Sequence, residues 1–227
     1  MSCKTSASWR SRGVPPAAPA AWYPSPARSR PRPGRSPQEG HTRGAPPQPP
    51  VPMSHRPRIA AHSLSPAAYA PYGDILMASP HGQPGRPANQ GTARRFDHLA
   101  AIENLRPGHA ALNVSVFRCA PRSSFPLPLA LLEKHPGSTQ AFVPMNARRY
   151  LVVVALGGDR PDLTTLAAFI AHGAQGITYR PGVWHHPMIA LDAEADFVCL
   201  VWEDGSPGDC AVVEYAEGER VAIAIEP

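Results

Sequence analysis

The sequence predicts a mainly β domain, a barrel or two-sheet roll with short peripheral helices, behind a disordered N-terminal tail. Short apolar or alternating runs recur between Gly- and Pro-rich turns, the pattern of a sandwich or barrel. Strand and helix signals do not alternate as they do in a parallel α/β sheet. The composition also changes abruptly near residue 53. Residues 1–53 are dominated by Pro, Ala, Arg and Ser, with Glu39 their only acidic residue. So little apolar surface cannot offset the entropy of ordering, and this segment is expected to be disordered. Residues 54–227 mix apolar, aromatic and acidic residues and suffice for one domain with a core.

Along the domain, Ser65-Pro66 reads as an N-cap followed by proline at the first helical position, with Gly73 ending a short helix. Residues 78–93, rich in Gly, Pro and Asn, read as a loop. Residues 112–119 alternate as a half-buried strand does. Pro126 and Pro128 delay the next strand, which runs through Leu131 towards His135. Residues 150–156 form a continuous apolar run ending at Gly157-Gly158, hence a buried strand. Residues 162–172 predict the one longer helix. Asp162 is placed to cap it, Leu163, Leu166, Phe169 and Ile170 recur at helical spacing, and Gly173 stands where a helix stops. Further strands are expected at 175–180, 188–191, 197–202 and 221–225.

The net charge of +5 divides unevenly. Residues 1–53 hold seven Arg and one Lys, whereas the remainder is slightly acidic. A nucleic-acid reading would rest on the tail alone, and neither nucleic acid nor membrane is expected as a partner. No run reaches the ~18–20 apolar residues of a membrane span, and no secretory core is present. The tail is open to three readings: a targeting segment, a Pro-rich interaction arm, or translated sequence upstream of a natural start at Met53. Its prolines weigh against an amphipathic targeting helix, and domain-like sequence directly after Met53 favours the last. Cys3, Cys119, Cys199 and Cys210 are scattered without a CxxC pair, so buried thiols in a reducing cytoplasm are expected.

Two runs concentrate chemistry: Glu133-Lys134-His135-Pro136-Gly137-Ser138-Thr139-Gln140 and Trp184-His185-His186-Pro187. In a strand alternate residues share a face, so Leu129, Leu131, Glu133 and His135 are expected to point together, an apolar wall becoming a polar cluster. His185 and His186 would face opposite sides, and the Pro181-Gly182 turn favours His185 for the cluster. Ordinary roles compete. His186 and His172 fit satisfied structural histidines, and Trp184 and Phe142 fit core aromatics. Arg94, Arg95, Arg148 and Arg149 fit a solvated surface. Glu133 beside His135 is harder to explain structurally, because a buried carboxylate is costly. The residues alone reach acid–base chemistry on a small polar acid.

Glu133, His135, Gln140 and His185 are similar in spacing to the ligand sets that cupin barrels carry on their inner face. In that resemblance Glu133 stands for the usual first histidine and Gln140 for the usual glutamate. A neutral Gln is the weaker ligand. From about Ala67 to Ile223 the chain also resembles the ureidoglycolate lyase family. The matching pieces are Ala70-Pro71-Tyr72-Gly73-Asp74, Asn89-Gln90-Gly91, Glu133-Lys134-His135 and Thr139-Gln140-Ala141-Phe142-Val143-Pro144-Met145. Tyr150-Leu151-Val152-Val153-Val154-Ala155 and Gly182-Val183-Trp184-His185-His186-Pro187 complete them. Asp97-His98 stands in the order opposite to the family's His-Asp.

The resemblance implies a cytoplasmic, homodimeric, cupin-like barrel that cleaves (S)-ureidoglycolate to glyoxylate and urea in allantoin degradation. It implies Glu133, His135 and His185 as catalytic residues. Gln140, Phe142, Arg95, Lys134, Trp184 and Asn89 would be substrate-binding. A divalent ion, Ni2+ by resemblance or Zn2+ or Mn2+, would be held by Glu133, His135, Gln140 and His185, with no organic cofactor. Two other readings fit the same cluster: an enzyme acting on another small hydroxy or keto acid derivative, and a non-catalytic small-carboxylate sensor.

Overall fold

The computed structural model describes residues 57–225. The expected disordered tail and the start inferred at Met53 lie outside them. In chain order, β1 (Arg58–Ala60) and β2 (His62–Ser63) precede one helical turn, α1 (Pro66–Tyr69), and then β3 (Ile75–Leu76). The short strands β4 (Arg86–Ala88) and β5 (Ala93–Arg95) form a hairpin. Next come β6 (Ala111–Cys119), β7 (Leu127–Pro128), β8 (Leu131–Lys134), β9 (Gln140–Pro144) and β10 (Arg149–Ala155). They are followed by β11 (Ala167–His172), β12 (Gly176–Tyr179), β13 (Trp184–His185) and β14 (Ile189–Ala190). The last three are β15 (Ala195–Glu203), β16 (Ala211–Glu214) and β17 (Ala222–Ala224).

Two large sheets face each other. One runs β16–β8–β13–β10–β11–β2, with β14 also on β10, and the other runs β3–β12–β9–β15–β6. Neither closes on itself, so of the two expected forms, barrel and two-sheet roll, the fold is the roll. A small sheet, β1–β17–β7, covers the outside of the first. This three-layer arrangement explains the unbroken apolar run of β10. Tyr150, Val152 and Val154 point between the large sheets, against Phe142, Phe197 and Ile177. Leu151, Val153 and Ala155 point outward, against Leu127 and Ile223 of the cover. A strand buried on both faces needs no polar alternation.

Ser65 caps α1 as expected, its hydroxyl accepting from the Ala68 amide, with Pro66 in the first turn. The expected helix at 162–172 is instead a 3₁₀ turn, Leu163–Thr165, followed by β11. Asp162 does cap, accepting from the Thr164 amide, and Gly173 does stop the element. Between them, β11 pairs antiparallel along β10, from Arg149 opposite His172 to Val154 opposite Ala167. Phe169 and Ala171 join the inner core, and Leu166, Ala168 and Ile170 the outer one. Apolar residues on both faces of a strand mimic helical spacing over so short a window, and the ladder outweighs alanine's modest helix preference.

Three smaller expectations also change. Of residues 78–93, the last belong to the β4–β5 hairpin. Among the described residues β6 pairs only with β15, and Val114 and Val116 on its outer side are 61% and 59% exposed. Leu129 does not share a face with Leu131, Glu133 and His135 as expected: it packs in the outer core with Leu132, and β8 begins at Leu131.

Gly73 shows how closely α1 meets β12. A Cβ there would lie 1.7 Å from the Thr178 carbonyl oxygen. The same contact carries two further bonds, Thr178 amide to Asp74 carbonyl and Asp74 amide to Thr178 hydroxyl, both 2.9 Å. Gly73→Ala must push the two segments apart, and urea denaturation is expected to show a loss of about 1–3 kcal/mol.

Candidate active site

The site is built where the two large sheets converge. β8 pairs with β13 so that Glu133 stands opposite His185, and β13 pairs with β10 so that His185 stands opposite Val154. Residues opposite one another in an antiparallel pair share a face. Glu133 and His185 therefore both enter the space between the sheets. Their neighbours Lys134 and Trp184 go to the other side. From the facing sheet, β9 and β12 place Gln140 opposite Tyr179. The Tyr179 ring stacks on His185 at 4.0 Å and 6°, and the His135 ring lies beside His185 at 5.6 Å.

Hydrogen bonds decide which nitrogens are available. Nδ1 of His185 meets the Val183 carbonyl at 3.0 Å, and Nδ1 of His135 meets the Asp209 carbonyl at 2.9 Å. A carbonyl only accepts, so both Nδ1 atoms carry the proton and both Nε2 atoms present lone pairs. Both Nε2 atoms, and Oε1 of Gln140, are buried without a hydrogen-bond partner. Ligand atoms of Glu133, His135 and His185 all lie within 4.8 Å of one another. Three ligand atoms thus converge, and the orphaned Gln140 oxygen stands on the facing strand β9. That is the donor set a cation requires and an unfavourable one without it. Glu133, His135 and His185 fit a divalent metal ion, with two imidazoles and a carboxylate.

Burial sets the protonation states. It pushes the Glu133 carboxyl up to about 7. Burial, followed by repulsion from a charged His135, drives His185 down to about 3. Burial also lowers His135, although its bond to the Asp209 carbonyl opposes this. The 3.6 Å approach of His185 to Glu133 is therefore neither an ion pair nor a hydrogen bond, because that imidazole is neutral at pH 7.

The remaining sequence-derived candidates divide. Phe142 faces the same interior, edge-on to Phe117 and Tyr179. The structure does not bring Lys134 or Trp184 to the cluster. Lys134 lies over the Trp184 ring, both donate to the Gly158 carbonyl, and Trp184 packs in the outer core. Strand alternation separates them from Glu133 and His185. Asn89 and Arg95 lie on the β4–β5 hairpin, where Arg95 pairs with Asp97 beside a separate cavity. His186 bonds the Pro187 carbonyl. Sequence reasoning passed over Tyr179 and Asp209. Tyr179 occupies an inward position of β12 and looks like an ordinary core residue. Asp209 acts through its backbone carbonyl, which no side-chain pattern announces.

With this geometry in view, comparison with known proteins is direct. The ureidoglycolate lyase family model matches residues 56–223. The chain belongs to that family. It is 44% identical over 160 residues to a ureidoglycolate lyase of Burkholderia cepacia, covering 70% of this chain and 86% of the relative. It is 35% identical over 169 residues to one from Pseudomonas syringae pv. tomato, covering 74% and 96%. Among solved structures, a 3,4-ketoisomerase from Helicobacter canadensis is 16% identical, with a TM-score of 0.35, over 61% of this chain and 89% of that one. For this member of the family, the acceptor set makes a checkable demand. Glu133 must lose its proton to take a cation, whereas His135 and His185 are already neutral. Calorimetric titration with Ni2+ is expected to show affinity rising about tenfold per pH unit up to about pH 7, then levelling. A flat profile would remove Glu133 from the ligand set.

Proposed function

We propose that this chain is a ureidoglycolate lyase, converting (S)-ureidoglycolate to glyoxylate and urea. The observation that carries the reading is the buried convergence of two Nε2 lone pairs and a carboxylate poised near pH 7, in a chain of this family. The substrate's reacting carbon bears a hydroxyl and a urea nitrogen. Removing the hydroxyl proton lets the C–O electrons form the aldehyde C=O. The C–N bond then breaks, and its electron pair leaves on the urea nitrogen, which takes up a proton. Atoms balance without water.

Glu133 suits both proton movements, because a group titrating near pH 7 accepts and returns a proton at similar cost. Gln140, through its unpartnered Oε1, is suited to accept a hydrogen bond from the urea group. His185 does not donate to a substrate oxygen itself. Its only proton sits on Nδ1, committed to Val183, and burial opposes a second. A bound divalent ion, Ni2+ or alternatively Zn2+ or Mn2+, would be held by Nε2 of His135 and His185 and a Glu133 oxygen, and would supply Lewis-acid polarisation of a substrate oxygen.

The test is product analysis with purified chain and (S)-ureidoglycolate, with and without chelator. Glyoxylate with urea is the expected outcome. Ammonia in place of urea would indicate hydrolysis, and no turnover would remove the assignment. Glu133→Gln keeps the side-chain shape and is expected to lower kcat ~10²–10⁴-fold with KM little changed.

The same reading includes a homodimer. On the outer side of the β9–β15–β6 ladder, Val114, Val116, Leu112 and Val143 form an exposed apolar surface alongside half-buried Val198 and Leu200. A second copy of this chain accounts for it best, since like surfaces associate about a two-fold axis. Sedimentation of a Val114→Asp variant is expected to show monomers at concentrations where the parent chain is dimeric. Free thiols at Cys119, Cys199 and Cys210 support a reducing, cytoplasmic setting. No helix among the described residues is long and apolar enough to cross a membrane.

A further inference from the structure

His135 lies just beyond the end of β8, where the ladder no longer holds it. Its imidazole is oriented instead by one bond, from Nδ1 to the backbone carbonyl of Asp209 at 2.9 Å. That carbonyl belongs to a 3₁₀ turn, Pro207–Asp209, between β15 and β16. A surface turn is an unpromising support for a catalytic imidazole unless something fixes it.

The Asp209 side chain does so. It is 2% exposed, and its carboxylate accepts the amide of Gly205 at 2.7 Å and that of Asp204 at 3.1 Å. A guanidinium nitrogen of Arg106 pairs with it, while another bonds Asp204 at 2.9 Å. The cation thus closes the turn on itself. Arg106 also runs along the chain leaving His135. A Cβ on Gly137 would lie 2.5 Å from Nε of Arg106, so the absence of a side chain admits the guanidinium. The adjoining Leu105 amide bonds the Gly137 carbonyl at 2.9 Å. One arginine therefore ties together the turn that supplies the carbonyl and the segment that follows the histidine.

We propose that Arg106 and Asp209 are positioning residues: the partly buried ion pair holds the Asp209 carbonyl against Nδ1 of His135, so that the Nε2 lone pair is kept towards Glu133 and His185. Neither residue touches the reacting atoms. The chemistry resembles that of outer-shell partners of ligating histidines, whose loss costs about 10–100-fold in affinity or activity. The activity part of the proposal rests on the lyase reading; the orientation part does not.

The experiment uses the full chain labelled with ¹⁵N-histidine, with the His135 ring signals assigned by their loss in His135→Gln. Long-range ¹H–¹⁵N spectra report the tautomer directly. The parent chain is expected to show protonated Nδ1 and bare Nε2. Asp209→Asn, which keeps shape but removes the charge, is expected to give a mixture of tautomers and a ~10–100-fold fall in kcat with KM within twofold. Gly137→Ala displaces Arg106 without altering Asp209 and is expected to act in the same direction, which covers failure of the first variant to fold. Arg106→Lys is expected to retain more activity than Arg106→Met. Folded variants with lowered melting temperature but an unchanged His135 tautomer and kcat would overturn the proposal, leaving the pair a purely structural clasp. A parent chain inactive on ureidoglycolate, with the tautomer still shifted in Asp209→Asn, would remove the substrate reading and leave the orientation intact.

Discussion

The pairing of Glu133 opposite His185 is the constraint on which the site depends. Because side chains alternate with period two, a slip of one residue between β8 and β13 would send one partner outward and bring Lys134 or Trp184 in. That register is not left to the two short strands. β13 is locked to β10, and β10 is buried on both sides, with Tyr150, Val152 and Val154 in one core and Leu151, Val153 and Ala155 in the other. Displacing β10 by one residue would exchange two matched sets of core contacts. The stability of the double core and the placement of Glu133 against His185 are thus one structural fact.

The electrostatics follow from that placement. Inside the roll, burial disfavours charge on all three ionisable members, raising the carboxyl and lowering both imidazoles. The result is a group titrating near neutrality beside two neutral bases whose protons are turned away towards backbone carbonyls. Such a site has capacity to accept protons or a cation and little to donate. Its unpartnered acceptors are destabilising for the fold in isolation, the usual relation between a reactive site and the structure that carries it.

The helix misread at 162–172 shows where sequence patterns stop. Asp162 and Gly173 marked the boundaries correctly: capping is a local matter, and at Gly173 a Cβ would lie 1.9 Å from the Ala147 carbonyl oxygen. What lay between them was decided by β10. Six residues that bury alternate sides in two cores satisfy a ladder and a helical stripe almost equally on paper. The exposed apolar side of β6 makes the complementary point: its alternation was legible, but which side would be covered was not.

Much of the site was legible in the chain. Glu133, His135, Gln140 and His185 stood out because a carboxylate, two imidazoles and an amide beside apolar strands have few structural uses, and strand period with the Pro181-Gly182 turn separated His185 from His186. The same rule, applied to Lys134 and Trp184, would have removed them. What only the tertiary structure decided was the company these residues keep. Strand register brought β8 and β13 together, a facing sheet supplied Tyr179 and Gln140, and a turn some seventy residues away lent the carbonyl that orients His135. Residue type and period are properties of the local chain; contact between distant segments depends on which packing buries the most surface, and no short window of sequence contains that information.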